Sequence, residues 1–90
     1  MVCNGTTRNT ARVYRRGNEL MLRMYDRLDS TTWLDTPARM ETGSGATTYV
    51  NIRGETTVQV LQSQSAPSRC SIRATNLPLE PGTVTEIAQP

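Results

Sequence analysis

The stretch TTYVNIRGETTVQVL, residues 47–61, indicates the fold class. Aliphatic residues stand at every second position on both sides of a single glycine, Gly54, which is typical of two β-strands joined by a turn. For all the aliphatic residues to face one side, the turn must hold an odd number of residues. We therefore expect a three-residue loop with Gly54 in a left-handed conformation. The aliphatic residues are Val50, Ile52, Val58 and Val60.

A second hairpin is predicted closer to the start of the chain. Apolar and polar residues alternate on both sides of Gly17-Asn18, a two-residue turn signal. The register set by this turn brings apolar residues opposite each other and one arginine opposite one glutamate. The expected pairs are Val13 with Leu22, Ala11 with Met24 and Arg16 with Glu19.

Residues 19–28 allow a second interpretation. They include good helix formers, and Asn18 is a suitable capping residue for a helix. A strand remains our prediction, because the preceding segment also alternates and a helix would leave it without an adjacent partner.

The rest of the chain predicts further short strands. Residues 29–46 lack regular alternation and are expected to form a long loop, with Trp33-Leu34 as a short strand at most. Strands are expected around residues 70–75 and, after a Pro81-Gly82 turn, at 83–88. The overall prediction is an all-β domain, a small antiparallel sandwich or barrel of six to seven short strands.

Length and charge suggest one domain with a basic start. Residues 1–9 are polar and without periodicity, so we expect an arm that is flexible or ordered by a partner, followed by a single β domain at 10–90. Residues 1–28 hold six arginines and two acidic residues, and the chain has no Lys, His or Phe. A core this small and poor in aromatic residues favours stabilisation by self-association or by docking on a larger protein.

Reactive groups are scarce. Without His or Lys, the Ser and Thr hydroxyls lack their usual activating base, so an enzyme is not expected. Two distant cysteines cannot supply the four ligands of a zinc site, and we expect no metal, cofactor or small-molecule substrate. Cys70 is expected to be a buried thiol, and the sequence leaves open whether it pairs with Cys3, which would require an oxidising compartment.

Two hypotheses for function follow. The first is a non-catalytic structural or assembly protein, either a homo-oligomer or a protein bound to a larger shell subunit, such as a capsid decoration, cement or head-tail component of a phage virion. The second is a small barrel that binds single-stranded nucleic acid through arginine and tyrosine side chains on one face of the first hairpin. No export or membrane signal is visible, so a virion or otherwise the cytoplasm is the expected location. The candidate interface residues are Arg8, Arg12, Tyr14, Arg16, Arg23, Tyr25, Trp33 and Arg39.

Overall fold

The computed structural model of the protein describes residues 1–75 and 77–86, which form a closed antiparallel barrel. Each strand pairs with the next one along the chain, and β1 pairs with β8 to close the barrel. The all-β prediction is confirmed, but the described residues form eight strands where six to seven were expected. The strands are β1 (Val2–Gly5), β2 (Asn9–Arg16), β3 (Glu19–Asp26), β4 (Thr31–Gly43), β5 (Ala46–Asn51), β6 (Val58–Ser63), β7 (Arg69–Ala74) and β8 (Glu80–Glu86).

The first hairpin has the predicted register. Residues 19–26 form β3, so the strand interpretation of this segment is confirmed over the helix. Gly17 has a φ of 62° in the two-residue turn, which fixes the alignment of β2 with β3. The observed pairs include Val13 with Leu22, Ala11 with Met24 and Arg16 with Glu19.

The loop of the central hairpin is longer than predicted. β5 ends at Asn51 and β6 begins at Val58, so six residues, 52–57, separate the strands. The Asn51 side chain stabilises this loop, because its Nδ2 donates to two carbonyls of the loop and its Oδ1 accepts from the Val58 N–H at 2.8 Å. Gly54 has the expected positive φ, 110°.

The longer loop changes which residues face the core, so the predicted register is wrong. Tyr49 pairs with Val60, and Val50 pairs with Gln59. Paired residues point to the same side of a sheet. Tyr49 and Val60 therefore face the barrel interior. Val50 lies on the opposite side of the sheet, although only 4% of its surface is exposed, and Ile52 lies in the loop with 55% of its surface exposed.

The segment expected to be a long loop is mostly strand. Residues 31–43 form β4, the longest strand at 13 residues. Ala38 is its only buried residue, so the apolar alternation that reveals a strand is missing from its sequence. Its extended conformation is fixed by pairing with β3 along residues 31–37 and with β5 along residues 38–43.

The expected arm also belongs to the barrel. Val2–Gly5 forms β1, which pairs with β2 on one side and β8 on the other. Met1, Val2 and Cys3 are buried, and the Met1 amino group donates to the Val13 carbonyl at 3.0 Å. The polar sequence of residues 1–9 does not show this, because the partners of β1 in β8 lie about eighty residues further along the chain.

Small and medium side chains fill the interior of the barrel. The largest fully buried ones include Leu22, Met24, Val13, Val58 and Val60, and Trp33 and Tyr49 pack partly against them. Eight strands enclose a space that side chains of this size can fill, which explains how the barrel forms without phenylalanine.

A disulfide links Cys3 of β1 to Cys70 of β7, with 6.1 Å between their Cα atoms. Cys70 is buried as expected, but it is not a free thiol. β8 lies between β1 and β7, and a Cβ at its Gly82 would stand 3.0 Å from the Cys3 Sγ and 2.6 Å from the Asn4 carbonyl oxygen. Only glycine fits there.

The final strand begins earlier than predicted. Pro81 and Gly82, expected to form a turn, lie within β8, whose described end is Glu86. Pairing with β1 and β7 extends this segment through both residues. Residues 87 and 88 of the expected strand lie outside the described residues.

Candidate functional site

Four connections meet at one end of the barrel, which we call the loop end: residues 6–8, 27–30, 52–57 and the connection from β7 to β8. The opposite end is closed by the turns at 17–18, 44–45 and 64–68. In the described part of the chain, every buried polar or charged side chain belongs to a strand terminus at the loop end. These residues are Asn9, Asp26, Asn51 and Glu80.

Glu80 fixes the connection between β1 and β2. One oxygen of its carboxylate, Oε2, accepts hydrogen bonds from the backbone N–H groups of Thr7, Arg8 and Asn9 at 2.9, 2.8 and 3.0 Å. Burial alone would raise the pKa of Glu80, but these bonds and one from the Asn9 side chain outweigh it and lower the pKa. A Cβ on Gly5 would overlap the carboxylate, so the close approach requires glycine.

Asn9 and Arg27 join further parts of the loop end. Asn9 Oδ1 accepts a hydrogen bond from the Trp33 indole N–H at 3.1 Å, which connects β2 to β4. The Arg27 guanidinium donates to neutral oxygens, namely the carbonyls of Gly5 and Asn9 and the Thr10 hydroxyl. These bonds hold the connection between β3 and β4 against β1 and β2.

A charged cluster lies beside them. Arg8 forms ion pairs with Asp26 and Asp29, the latter at 3.2 Å. The hydrogen bond from Arg8 lowers the pKa of Asp26, and backbone N–H bonds from Asp29 and Leu28 act in the same direction. Both oxygens of the Asp26 carboxylate therefore accept hydrogen bonds. The Asp29 side chain, by contrast, is 69% exposed.

A cavity with a volume of about 560 Å³ opens at the loop end. Its wall combines an aromatic ring, an exposed leucine, three threonines and the charged cluster. β-Barrels commonly bind ligands at such mouths. The lining residues are Arg8, Asn9, Asp26, Asp29, Thr31, Trp33, Thr56, Thr75 and Leu77.

Exposed aliphatic side chains also concentrate at the loop end. Leu28, Ile52, Leu77 and Leu79 are each exposed over 50–68% of their surface, and all four lie in its connections. Single exposed leucines are normal on a protein surface, but their collection at one end is a feature of interaction sites.

The predicted arginine–tyrosine face exists on the outside of β2 and β3. Arg12 pairs with Arg23, Tyr14 with Met21 and Thr10 with Tyr25, so these residues lie on the side of the hairpin opposite Val13 and Leu22. Met21 is nevertheless buried, with 2% of its surface exposed. Asp35 of β4 partly neutralises this face. It accepts hydrogen bonds from Tyr14 at 2.5 Å and Arg23 at 3.2 Å.

The same cluster limits the surface that Tyr14 offers. Arg23 lies over the Tyr14 ring, 5.1 Å from its centroid, and Arg16 donates to the Tyr14 hydroxyl at 3.2 Å. One ring face is therefore already occupied. Beside this cluster a groove of about 430 Å³ runs along the outer wall, lined by Thr10, Arg12, Arg23, Tyr25, Arg27 and Thr32.

The predicted interface residues thus fall into separate groups. Arg8 and Trp33 line the cavity at the loop end. Arg12, Tyr14, Arg16, Arg23 and Tyr25 lie on the outer face, and Arg39 is paired with Glu41 in the hairpin of β4 and β5 at 2.8 Å. Sequence reasoning did not identify Glu80, Asn9 or Asp35. The first two are more than 70 residues apart, and no local pattern signals their contact.

No His, Cys, Asp or Glu residues in the described ranges form a group of three or more that could hold a metal ion. In the same ranges, no helix is long and apolar enough to cross a membrane. Comparison with known proteins adds no assignment, since no protein-family model, no curated protein and no solved structure matches this chain.

Proposed function

We propose that this protein is a non-catalytic assembly protein that packs through its loop end against a neighbouring subunit. The neighbour is a second copy of the chain or a larger structural protein such as a virion shell. The observation that carries the proposal is the collection of four exposed aliphatic side chains in the connections of one barrel end. Full burial of one such side chain contributes about 1.5–3 kcal/mol. Burial of the exposed surface of all four side chains in an interface therefore favours association.

The architecture supports side-chain contacts as the means of association. Each of the eight described strands pairs with two neighbours, which leaves little free edge to which another strand can add. The exception is β4, which pairs with β3 only along residues 31–37 and with β5 only along residues 38–43. Residues 1–9, expected to be an arm that is flexible or ordered by a partner, and residues 29–46, expected to be a long loop, lie mostly in strands of the barrel. We therefore propose that association occurs through the loop end.

Rigidity and redox state also fit an assembly role. Hydrogen bonds of Glu80, Asn9 and Arg27 fix the connections before any partner arrives, which reduces the entropy lost on binding. The disulfide favours an oxidising environment, as outside a cell, and is in keeping with a virion component.

Sedimentation velocity over a range of concentrations tests the proposal. We expect the wild type to form oligomers as concentration rises, and the double variant Leu28→Ser/Leu77→Ser to remain monomeric. Met40→Ser is the matched control, because Met40 is 56% exposed but lies in β4 towards the opposite end. At a protein concentration of about 1 mM, even an association free energy of about 4 kcal/mol produces detectable oligomers. A wild type that is still monomeric at this concentration contradicts self-assembly through the loop end.

A second candidate function uses the groove on the outer wall. Three arginines and Tyr25 line it, and this combination binds single-stranded nucleic acid by contacting phosphates and stacking on bases. Asp35 weakens this candidate, because it neutralises part of the positive charge and holds Tyr14 and Arg23 in place.

Fluorescence anisotropy with a labelled single-stranded oligonucleotide distinguishes the two functions. Nucleic-acid binding predicts affinity that falls steeply with salt and is abolished in Arg12→Ser/Arg16→Ser, with Arg39→Ser as the control. Absence of binding at low salt removes this second candidate.

A further inference from the structure

We propose that the cavity at the loop end binds the side chain of an arginine presented by the partner protein. This inference rests on the assembly function and names the chemistry that the same surface recognises. The cavity has two properties that an arginine side chain requires. An apolar wall can contact its methylene stem and the face of its planar guanidinium, and a carboxylate can pair with its positive charge.

Trp33 and Leu77 supply the apolar wall. Trp33 is partly buried, and the hydrogen bond from its Nε1 to Asn9 Oδ1 fixes the position of the ring edge. A tryptophan ring is the strongest aromatic partner for a cation, and it stacks well with the planar guanidinium. Leu77, with 50% of its surface exposed, has apolar area available to cover the methylene stem.

The charge of the cavity favours a cation. Arg8 and Asp26 neutralise each other, so the negative charge of Asp29 remains. Asp29 Oδ2 accepts one hydrogen bond from Arg8, and within the described residues Oδ1 has no donor. Both carboxylates of the cavity already pair with the guanidinium of Arg8, so the pairing chemistry that the proposal requires is present in its wall.

Titration of the intact protein with N-acetyl-arginine amide tests the proposal. Trp33 is the only tryptophan in the chain and lines the cavity, so its fluorescence reports occupancy directly. Backbone amide chemical shifts provide a second readout. We expect a saturable change in fluorescence and shifts confined to the lining of the cavity. N-acetyl-citrulline amide, which has the same shape without the charge, is expected to bind at least fivefold more weakly.

The variant Asp29→Asn tests the charge. The Asp29 side chain is exposed, and loss of its charge leaves Asp26 paired with Arg8, so we expect the variant to fold. The affinity for N-acetyl-arginine amide is expected to fall about fivefold, the upper range for an exposed ion pair. Glu41→Gln removes the same charge from the hairpin of β4 and β5 and is expected to leave the affinity unchanged.

Three results would overturn the arginine site: no saturable change in either readout, equal affinity for the citrulline compound, or equal loss in the Asp29 and Glu41 variants. The probe is a single amino acid, so the titration does not depend on self-assembly. If the leucine variants still abolish association while the titration fails, the arginine site alone is refuted.

Discussion

Reduction of the disulfide is predicted to remove a large share of the stability of this barrel. The bond joins Cys3 in β1 to Cys70 in β7 and passes Gly82 of the strand between them. Once it is reduced, β1 is held only by its hydrogen bonds to β2 and β8 and by its buried side chains. Reduction leaves the sequence unchanged, so it tests the covalent link by itself.

The magnitude follows from the length of chain that the bond closes. For the observed separation of 67 residues, the chain-entropy model gives about 4 kcal/mol at room temperature. A domain of 90 residues has a net free energy of unfolding of about 5–13 kcal/mol. Loss of the bond therefore leaves about 1–9 kcal/mol, and the reduced protein is marginally stable at the lower end of this range.

Urea unfolding followed by circular dichroism, with and without a phosphine reductant, measures this effect. With a slope of about 1–1.5 kcal/mol per M for a chain of this size, the midpoint is expected to fall by about 3–4 M. The variant Cys3→Ala/Cys70→Ala is the control and must not respond to the reductant. A shift in the wild type of less than about 1 M refutes the reasoning, because the bond would then constrain the unfolded chain far less than its loop length requires.

Three further substitutions test individual contacts. Glu80→Gln is expected to lower the free energy of unfolding by about 2 kcal/mol at neutral pH, because one oxygen of the Glu80 carboxylate accepts hydrogen bonds from three backbone N–H groups. Since the folded-state pKa of Glu80 is lowered, its contribution is complete above the ordinary carboxyl pKa and is lost as the pH falls through the folded-state value. Melting temperatures of wild type and variant should therefore converge in acid, and a constant difference would contradict this. Gly82→Ala is expected to lower the free energy of unfolding by about 1–3 kcal/mol, because the added Cβ overlaps the Asn4 carbonyl. Gly43→Ala is the control, since a Cβ there has no neighbour within 4 Å, and its effect is expected to stay within about 0.5 kcal/mol. Similar urea midpoints for the two variants would count against the close packing of β8. Asn51→Ala removes three hydrogen bonds that stabilise residues 52–57. It is expected to lower the free energy of unfolding by about 2–3 kcal/mol and to increase amide exchange in these residues. Unchanged exchange would show that the loop does not depend on this side chain.

The first hairpin shows what the sequence can predict. A two-residue turn leaves little freedom in alignment, so the positions of Gly17 and Asn18 determine every pair between β2 and β3. The central hairpin shows where the same reasoning fails. The Asn51 side chain stabilises a six-residue loop, and this contact changes the register in a way that alternation of apolar residues cannot indicate.

Barrel closure was also hidden from the sequence. β4 buries only Ala38, and β1 contributes only four residues, so neither contains enough apolar alternation to be recognised. Both are strands because of pairing with their neighbours: β1 pairs with β2 and β8, and β4 pairs with β3 along residues 31–37 and with β5 along residues 38–43.

The candidate site was predictable only in part. The arginine–tyrosine face follows from the register of a local hairpin, and it was identified. The loop end combines Arg8 and Trp33, which the sequence suggested, with Glu80 and Asn9, which it did not. Contacts between residues more than 70 positions apart assemble this end, and they depend on the closed topology.

Amide hydrogen exchange at low and high protein concentration tests the central claim most directly, because it shows which end of the barrel associates. Association through the loop end is expected to slow exchange in residues 27–30, 52–57 and 77–79 at high concentration and to leave exchange in the turns at 17–18 and 44–45 unchanged. Slower exchange at those turns alone would contradict association through the loop end, and no dependence on concentration at either end would contradict self-association there.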